Sequence, residues 1–504
     1  MDLKERAISW LAEHDVDAYL VGGVVRDRLL GRPTYDLDLV VDGDGLAVAR
    51  KLANHFAGAY YPLDTERLVG RAVLLDDERG ELMVDVASLR GRDLATDLAD
   101  RDFTINAMAA PVADPDRVID PHGGMGDLRA RTIRPVSDHS IRSDPLRALR
   151  AVRLAASLDF ALAGEALSLM RRDGPAVANV SGERVRDELA KLLCRPFAAR
   201  WLRLLDDLDL LTVLLPELEA ARGETQPQPH HLDVLDHSLA IVATLESIVQ
   251  VIGLPSGVAG DERQEAVDSA PSPSSNIEYR ISGPDLDALA PFADRIRAHL
   301  GEELGHERPR LVTLKLAALL HDVGKPARKS VEESGRIRFL GHEQVSARVV
   351  ADVLQRLRFS RPEVRAGETI ARHHMRPLLL AGQKSVSSRA VYRFFRDTGE
   401  NGVDIVLHAL ADQRATYAPG THGEEWERLV SLAARMLGDY WDRRELVAPP
   451  PLISGTDLIE SFDVEPGPKV GDLLEAVREA QVAGKVRTRE QALDLVRKKL
   501  PPRS

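Results

Sequence analysis

Residues 21–41 read VGGVVRDRLLGRPTYDLDLVV, and this stretch governs the reading of everything before residue 140. Paired glycines, Gly22 and Gly23, stand where an apolar run gives way to a helical pattern, and two aspartates, Asp36 and Asp38, alternate with Leu37 and Leu39 in a second apolar run. Side chains at i and i+2 of a strand project to one face, so the two carboxylates point together and the leucines point away. Parallel carboxylates repel and raise each other's pKa unless a cation neutralises them; an edge strand with its polar face in water is the competing explanation. A pair of Mg²⁺ ions is an ordinary solution, because Mg²⁺ takes a few carboxylates together with substrate phosphates. The glycine turn offers backbone N–H groups and the positive end of a helix to a phosphate, and Arg26 in the first turn can add a charge-assisted bond. A phosphate cradle followed by a metal-binding strand describes a nucleoside triphosphate held against two ions for in-line transfer. A third carboxylate is expected on a neighbouring strand, and ELMVDVASLR (81–90) supplies Asp85, as base for an attacking hydroxyl or as metal-site partner.

The chain has 504 residues, 44% hydrophobic and 29% charged, which describes a globular protein of two to four domains. Up to about residue 140, short β-type runs alternate with helical stretches; beyond it the apolar spacing is helical. The fold class expected is therefore multidomain α+β: an α/β head (1–140), then a mostly α-helical neck (141–205), body (206–445) and tail (446–504). Residues 255–283, rich in Ser, Pro, Gly and acid, read as a mobile surface insertion of the body. The single cysteine, Cys194, excludes an intrachain disulfide and a thiolate zinc site, so any metal must be held by His and carboxylates. No apolar run is expected to span a membrane, and MDLKERAISWLAEHD lacks a signal-peptide core; a cytoplasmic location follows. The net charge of −12 would argue against nucleic acid, yet residues 129–203 carry 15 Lys/Arg against 8 Asp/Glu, and residues 356–396 carry 10 against 2. These basic stretches can meet a phosphate backbone or serve as solvated helix faces.

In order along the chain, LVGGVVRDRLLG, DLDLVV, RDFTINAMA (101–109), DPHGGMGDL (120–128), IRPV and DPLRALRAVRLAASLDF (144–160) resemble the bacterial class II tRNA nucleotidyltransferase/poly(A) polymerase family, whose head is similar to DNA polymerase beta-type nucleotidyltransferases. The resemblance implies that Gly23 and Arg26, with Gly22 in the same turn, bind the triphosphate, that Asp36 and Asp38 bind catalytic Mg²⁺, and that Arg101 and Asp102 lie at the ribose and phosphates. It implies further that Asp144 and Arg147 read the Watson–Crick edge of the incoming base. Three residues apart on a helix, these two would share a face, with Arg150 and Arg153 continuing the row. Cytosine and adenine both present an amine donor beside a ring-nitrogen acceptor, so a carboxylate plus a guanidinium complements CTP and ATP, whereas uracil and guanine leave the pair unmatched. Asp100, where a second arginine is common, and Ser143, where an acid is common, depart from the family pattern.

A second constellation lies in the body: His237 in DVLDHSLAIV, His321 and Asp322 in LKLAALLHDVGKP, His342 in FLGHEQVSARVV, His373 and His374 in ARHHMRP, and Asp412 in HALADQRA. Imidazoles and carboxylates from several helices suit a divalent transition metal. Their order resembles an HD-type phosphohydrolase domain of the kind fused to nucleotidyltransferases. That implies His237, His321, Asp322 and Asp412 as principal ligands, with His342 and either His373 or His374 at a second ion. The expected activity is addition of CCA to tRNA 3′ ends from CTP and ATP, with tRNA as partner and a phosphohydrolase activity in the body. Poly(A), A-only or CC-only addition are the near alternatives, and a phosphohydrolase with an RNA-binding head is the distant one.

Overall fold

A computed structural model describes residues 3–14, 16–34, 36–76, 80–252, 283–418 and 424–500; the insertion expected at 255–283 lies, but for Gly283, outside them. The described chain divides into two compact units, one reaching to Leu192 and including Leu205–Leu214, the other made of Leu193–Leu204 and the residues from Leu215 on.

The first unit opens with α1 (Leu3–Glu13), β1 (Ala18–Val21), α2 (Gly23–Leu29), β2 (Leu37–Val41), α3 (Gly45–His55), β3 (Ala59–Asp64), β4 (Val69–Asp76), β5 (Gly80–Ser88), α4 (Leu94–Ala99), β6 (Ala109–Pro111) and α5 (Gly124–Arg129). The strands form one sheet in the order β3-β4-β5-β2-β1-β6. Only β2 and β5 run parallel, pairing Asp38 with Asp85 across the ladder; the other neighbours are antiparallel. Because β2 is central, its apolar side chains are covered: Leu37, Leu39, Val40 and Val41 are buried, while Asp36 and Asp38 are exposed. The period-2 alternation thus holds through the acidic part of the strand. Gly45 begins α3 where a Cβ would lie 2.4 Å from the Leu68 carbonyl oxygen and 2.8 Å from that of Val86, so only glycine lets this helix close on the sheet.

Next in this unit come α6 (Ser140–Ser143), α7 (Leu146–Leu158), α8 (Gly164–Asp173) and α9 (Gly182–Leu193). Here one expectation is corrected. Asp144 does not share a helix with Arg147; it is extended (φ −146, ψ 98) between α6 and α7. Pro145 is the cause, since the residue before a proline is pushed out of the helical region.

The second unit is built from α10 (Ala198–Asp207), whose N-terminal end it contains, and, past α11 (Leu211–Leu214) of the first unit, α12 (Val234–Val251), α13 (Ala293–Gly301), α14 (Arg310–Leu320), α15 (His342–Arg356), α16 (Arg361–His373), α17 (Met375–Ala381), α18 (Ser388–Thr398), α19 (Asn401–Thr416) and α20 (Glu424–Trp441). The only strands here among the described residues are short pairs. Contrary to the sequence expectation, α12 is long and apolar enough to cross a membrane; it is 67% buried inside the protein instead. It packs against α14 and α19, and a helix covered on several sides is apolar on several sides. Two buried cations tie this unit together. Arg310 on α14 bonds Asp404, Asn401, Glu400 and Glu302 at 2.8–3.1 Å. Lys315 donates to the carbonyls of Leu193 and Arg195 and to Glu246 on α12, while the Glu246 carboxylate also accepts from the N–H groups of Ala198 and Ala199 at the start of α10. Each buried charge therefore has the partners that burial demands.

The chain ends in α21 (Gly455–Phe462), α22 (Pro468–Val482) and α23 (Arg489–Lys499), which enclose an apolar cluster of their own around Leu458, Val477, Ala492 and Val496. α22 meets α18 through polar contacts: Tyr392 donates to Glu475 at 3.0 Å, and Arg396 and Arg393 pair with Glu475 and Glu479 at 2.6 and 2.5 Å.

Candidate active site and metal centre

At the end of β1 the chain turns through Gly22, whose φ of +67 favours glycine. A Cβ there would stand 3.2 Å from Arg101 Nη1 and 3.9 Å from Asp38 Oδ2, so the glycine turn, the arginine and the metal-strand aspartate converge on one spot. Arg101 is held by the buried Asp97, which accepts from its Nε and Nη2 at 3.1 and 2.9 Å. Arg26 bonds Asp27 through two parallel contacts and Asn106 Oδ1 at 2.8 Å. Asn106 in turn donates to Asp102 Oδ1 at 3.0 Å, Arg150 contacts Asp102 Oδ2 at 3.4 Å, and Arg150 and Arg153 both bond Glu188 on α9. One continuous chain of bonds thus links the glycine-turn arginine to α7.

Asp36, Asp38 and Asp85 lie on the same part of the sheet. Asp85 is bidentate to Arg71, at 2.7 and 2.8 Å. Loss of hydration, and then the neighbouring Asp85 charge, push Asp38 up to about 6, although the residue still reaches solvent. Carboxylates crowded this way, open on one side, fit a divalent cation that would relieve the repulsion.

Beside them a cleft of about 910 Å³ is lined by Arg101, Asp102, Asp144, Arg147 and Arg150, together with Asp64, Glu66, Arg67, Arg90, Asp100, Ser143 and Arg184. Asp144 pairs with Arg184 of α9 at 2.7 Å. The buried Arg147 donates to the carbonyls of Asp100, Arg101 and Ser140 and to Ser143 Oγ, while its Nε has no partner among the described residues. Ser143, one of the two departures from the family pattern, therefore orients Arg147, and Asp100, the other, pairs with Arg90.

In the second unit, His237 of α12, His321 and Asp322 at the end of α14, His342 at the start of α15, His374 after α16 and Asp412 of α19 are all buried and gather in one place. Two triplets of donor atoms, His237–His321–Asp412 and His321–Asp322–His374, each fall within 4.8 Å. His237 Nε2 lies 3.1 Å from Asp412 Oδ1; Asp322 lies 3.0 Å from both His321 and His342 and 3.7 Å from His374. Of the two histidines that ARHHMRP offers, His374 is in the cluster and His373 is not, because successive helical residues are turned about 100° apart. Burial lowers His237 and drives His374 down to about 3, whereas at His342 the hydrogen bond and charge of Asp322 outweigh burial and raise it. Burial opposes the charge of Asp322, but His321 and the Lys325 ammonium at 2.5 Å outweigh it and hold its carboxyl well below the usual range. Neutral His237 and His374 beside ionised Asp322 and Asp412 suit a metal, which binds deprotonated ligands. Within this set His237 Nδ1, His321 Nε2 and Asp322 Oδ1 lack hydrogen-bond partners among the described residues. The donor set fits a divalent transition ion.

Residues 18–134 match the family described as Poly A polymerase head domain, 293–413 the HD domain, and 431–496 a second domain of tRNA nucleotidyltransferases. A relative from Deinococcus radiodurans, an A-adding tRNA nucleotidyltransferase, is 33% identical over 95% of both chains. The chain belongs to the tRNA nucleotidyltransferase/poly(A) polymerase family. Within that family, a CC-adding tRNA nucleotidyltransferase from Thermus thermophilus is also 33% identical, over 94% of this chain and 92% of its own. The fold is similar to that of a CCA-adding enzyme solved in complex with ATP, with 20% identity, 100% and 96% of the two chains covered and a TM-score of 0.63. As a nucleotidyltransferase the chain is an enzyme, and its family's chemistry calls for divalent metal.

The sequence reading of this nucleotidyltransferase missed the residues that hold the others. Asn106 joins Arg26 to Asp102, Asp97 anchors Arg101, Arg71 neutralises Asp85, and Arg184 and Glu188 engage the cleft-lining row from another helix. Asn106 lies inside RDFTINAMA and Asp97 only four residues before Arg101, so both have a local signal; the others pair across 14 or more residues and have none. His408, one turn before Asp412, was also passed over.

Proposed function

We propose that this nucleotidyltransferase adds C and A nucleotides to the 3′ end of tRNA, using CTP and ATP and no nucleic-acid template, in the cytoplasm. The observation that carries the reading is the convergence of the Gly22 turn, Arg101 and the Asp38/Asp85 pair beside a cleft that also contains Asp144 and Arg147. Arg26, Arg101 and the Gly22–Gly23 turn receive the triphosphate, and Asp102 and Asn106 keep Arg26 aimed. Asp36, Asp38 and Asp85 would hold Mg²⁺, which when bound supplies charge neutralisation at the α-phosphate and leaving group. The tRNA 3′-hydroxyl gives up its proton to Asp85 or to solvent as its oxygen attacks the α-phosphorus, the bond to the bridging oxygen breaks, and pyrophosphate leaves. Asp144 accepts from the exocyclic amine of cytosine or adenine, and Arg147 donates to the adjacent ring nitrogen. Arg150 and Arg153 are engaged by Glu188, so their part is to fix α7 and Asp102 while adding positive potential to the cleft.

In the body, His237, His321, Asp322, Asp412, His342 and His374 would hold a divalent transition ion that supplies water activation for hydrolysis of a phosphate ester or 2′,3′-cyclic phosphate. Such an activity suits a damaged tRNA end.

Extension assays test the first reading: tRNA lacking its terminal CCA, and tRNA ending in CC, are each incubated with CTP, ATP or both. C, C and A added in turn is the expected result; no incorporation on either substrate refutes it. A second reading, addition of only C or only A, is favoured by the A-adding and CC-adding relatives that match along nearly the whole chain. The same assay identifies it by incorporation on one substrate alone.

A further inference from the structure

His408 lies on α19 one helical turn before Asp412, wholly buried, and both of its ring nitrogens lack a hydrogen-bond partner among the described residues. Burying a polar group without a partner is unfavourable, so an imidazole left this way in a packed core calls for a ligand. Its ring centre stands 4.8 Å from that of His321 and 5.7 Å from that of His374, and the His321–His374 spacing is 4.9 Å. Two imidazoles bound at about 2.1 Å to one ion, with roughly 90–110° between them, place their ring centres about 4.5–5.2 Å apart; an angle of about 125° gives about 5.7 Å. The ring-centre spacings of His321, His374 and His408 are compatible with three imidazoles around one ion, whereas the donor triplets that fall within 4.8 Å do not include His408. His321 Nδ1 is occupied by the Ala318 carbonyl and His374 Nδ1 by that of Ala371, at 2.8 and 2.7 Å, so both present Nε2 inward.

We propose that His408 is a further ligand of the metal centre in the body, completing an imidazole-rich set with His321 and His374. The proposal rests on the reading of this cluster as a metal centre. Ligation through one nitrogen removes one of the two unmet polar groups. It also sharpens the class of ion: a sphere dominated by buried neutral imidazole favours a transition ion such as Co²⁺ or Zn²⁺ and disfavours Mg²⁺.

The test is Co²⁺ titration of the full-length, metal-stripped protein, followed by its visible d–d absorption, for wild type, His408→Asn, His408→Phe and His321→Ala. Both His408 variants should bind Co²⁺ at least tenfold more weakly than wild type with a shifted d–d band, while nucleotide addition by the head is unchanged. Phe retains the volume and Asn is smaller and polar, so one folded variant, judged by circular dichroism, suffices. An unaltered spectrum and affinity in a folded His408 variant, with His321→Ala losing Co²⁺, overturns the role of His408 and leaves the metal centre standing. Wild type without Co²⁺ absorption, matched by His321→Ala, overturns the metal reading of the whole cluster and the proposal with it.

Discussion

Replacing Asp38 by Asn should abolish nucleotide addition and at the same time stabilise the metal-free protein. The carboxyl of Asp38 rises from 3.8 to about 6 through lost hydration and the charge of Asp85. At about 1.36 kcal/mol per pH unit this shift corresponds to roughly 3 kcal/mol for an enclosed group, but Asp38 still meets solvent, and screening reduces the cost to about 1 kcal/mol. Because the folded-state value is raised, the protonated carboxyl favours the fold fully below pH 3.8, and that advantage is lost as pH rises through about 6. Asn mimics the protonated form at every pH. In EDTA at pH 7.5 the head transition of Asp38→Asn should therefore melt about 2–4 °C above that of wild type, and the gap should roughly halve at pH 5. Adding Mg²⁺ should raise the wild-type transition and leave the variant unmoved, while extension activity falls at least about a hundredfold, the equivalent of several kcal/mol of lost charge stabilisation. Differential scanning calorimetry with a parallel extension assay reads all of this. A variant that melts at or below wild type in EDTA at pH 7.5, or that gains as much from Mg²⁺, would refute the assignment of Asp38 as a strained metal carboxylate.

Lys315→Met should destabilise the body by about 3–5 kcal/mol in urea unfolding, because it strands the buried Glu246 charge; the Lys315→Met/Glu246→Leu double variant should recover part of the loss. Arg184→Ala removes the 2.7 Å pair that positions Asp144, and single-nucleotide kinetics should show kcat/KM for CTP and ATP falling about tenfold relative to UTP, on the order of one hydrogen bond to a charged group; unchanged discrimination would remove Arg184 from base selection. His321→Ala should leave nucleotide addition within about twofold of wild type while eliminating hydrolysis of a 2′,3′-cyclic phosphate or a phosphomonoester, since the additivity expected of independent sites applies. Loss of both activities together would contradict two separate centres.

Much of the architecture could be read along the chain because its determinants are local. The alternation at Leu37–Leu39 marks the central strand, the Gly22–Gly23 pair marks the turn, and helical apolar spacing marks nearly everything after residue 140. Where local pattern failed, a neighbour in the chain or in space had overruled it. Pro145 takes Asp144 off the helix that its spacing with Arg147 suggested, and α12 looks like a membrane span only because helices cover it on several sides.

Residue type and spacing suffice to nominate Asp36, Asp38 and Asp85, since paired carboxylates on one strand face demand a cation; Asp144, Arg147 and the ligand set of the histidine cluster follow from the family resemblance. The partners that hold them could not be nominated so. Arg184 across from Asp144, Glu188 between Arg150 and Arg153, and His408 beside His321 are long-range or angular relations. They depend on where folded elements come to rest against one another, and on which of two adjacent histidines a helix turns inward. A linear pattern records the period of a helix or strand; the distance between two side chains forty residues apart exists only once the chain has packed.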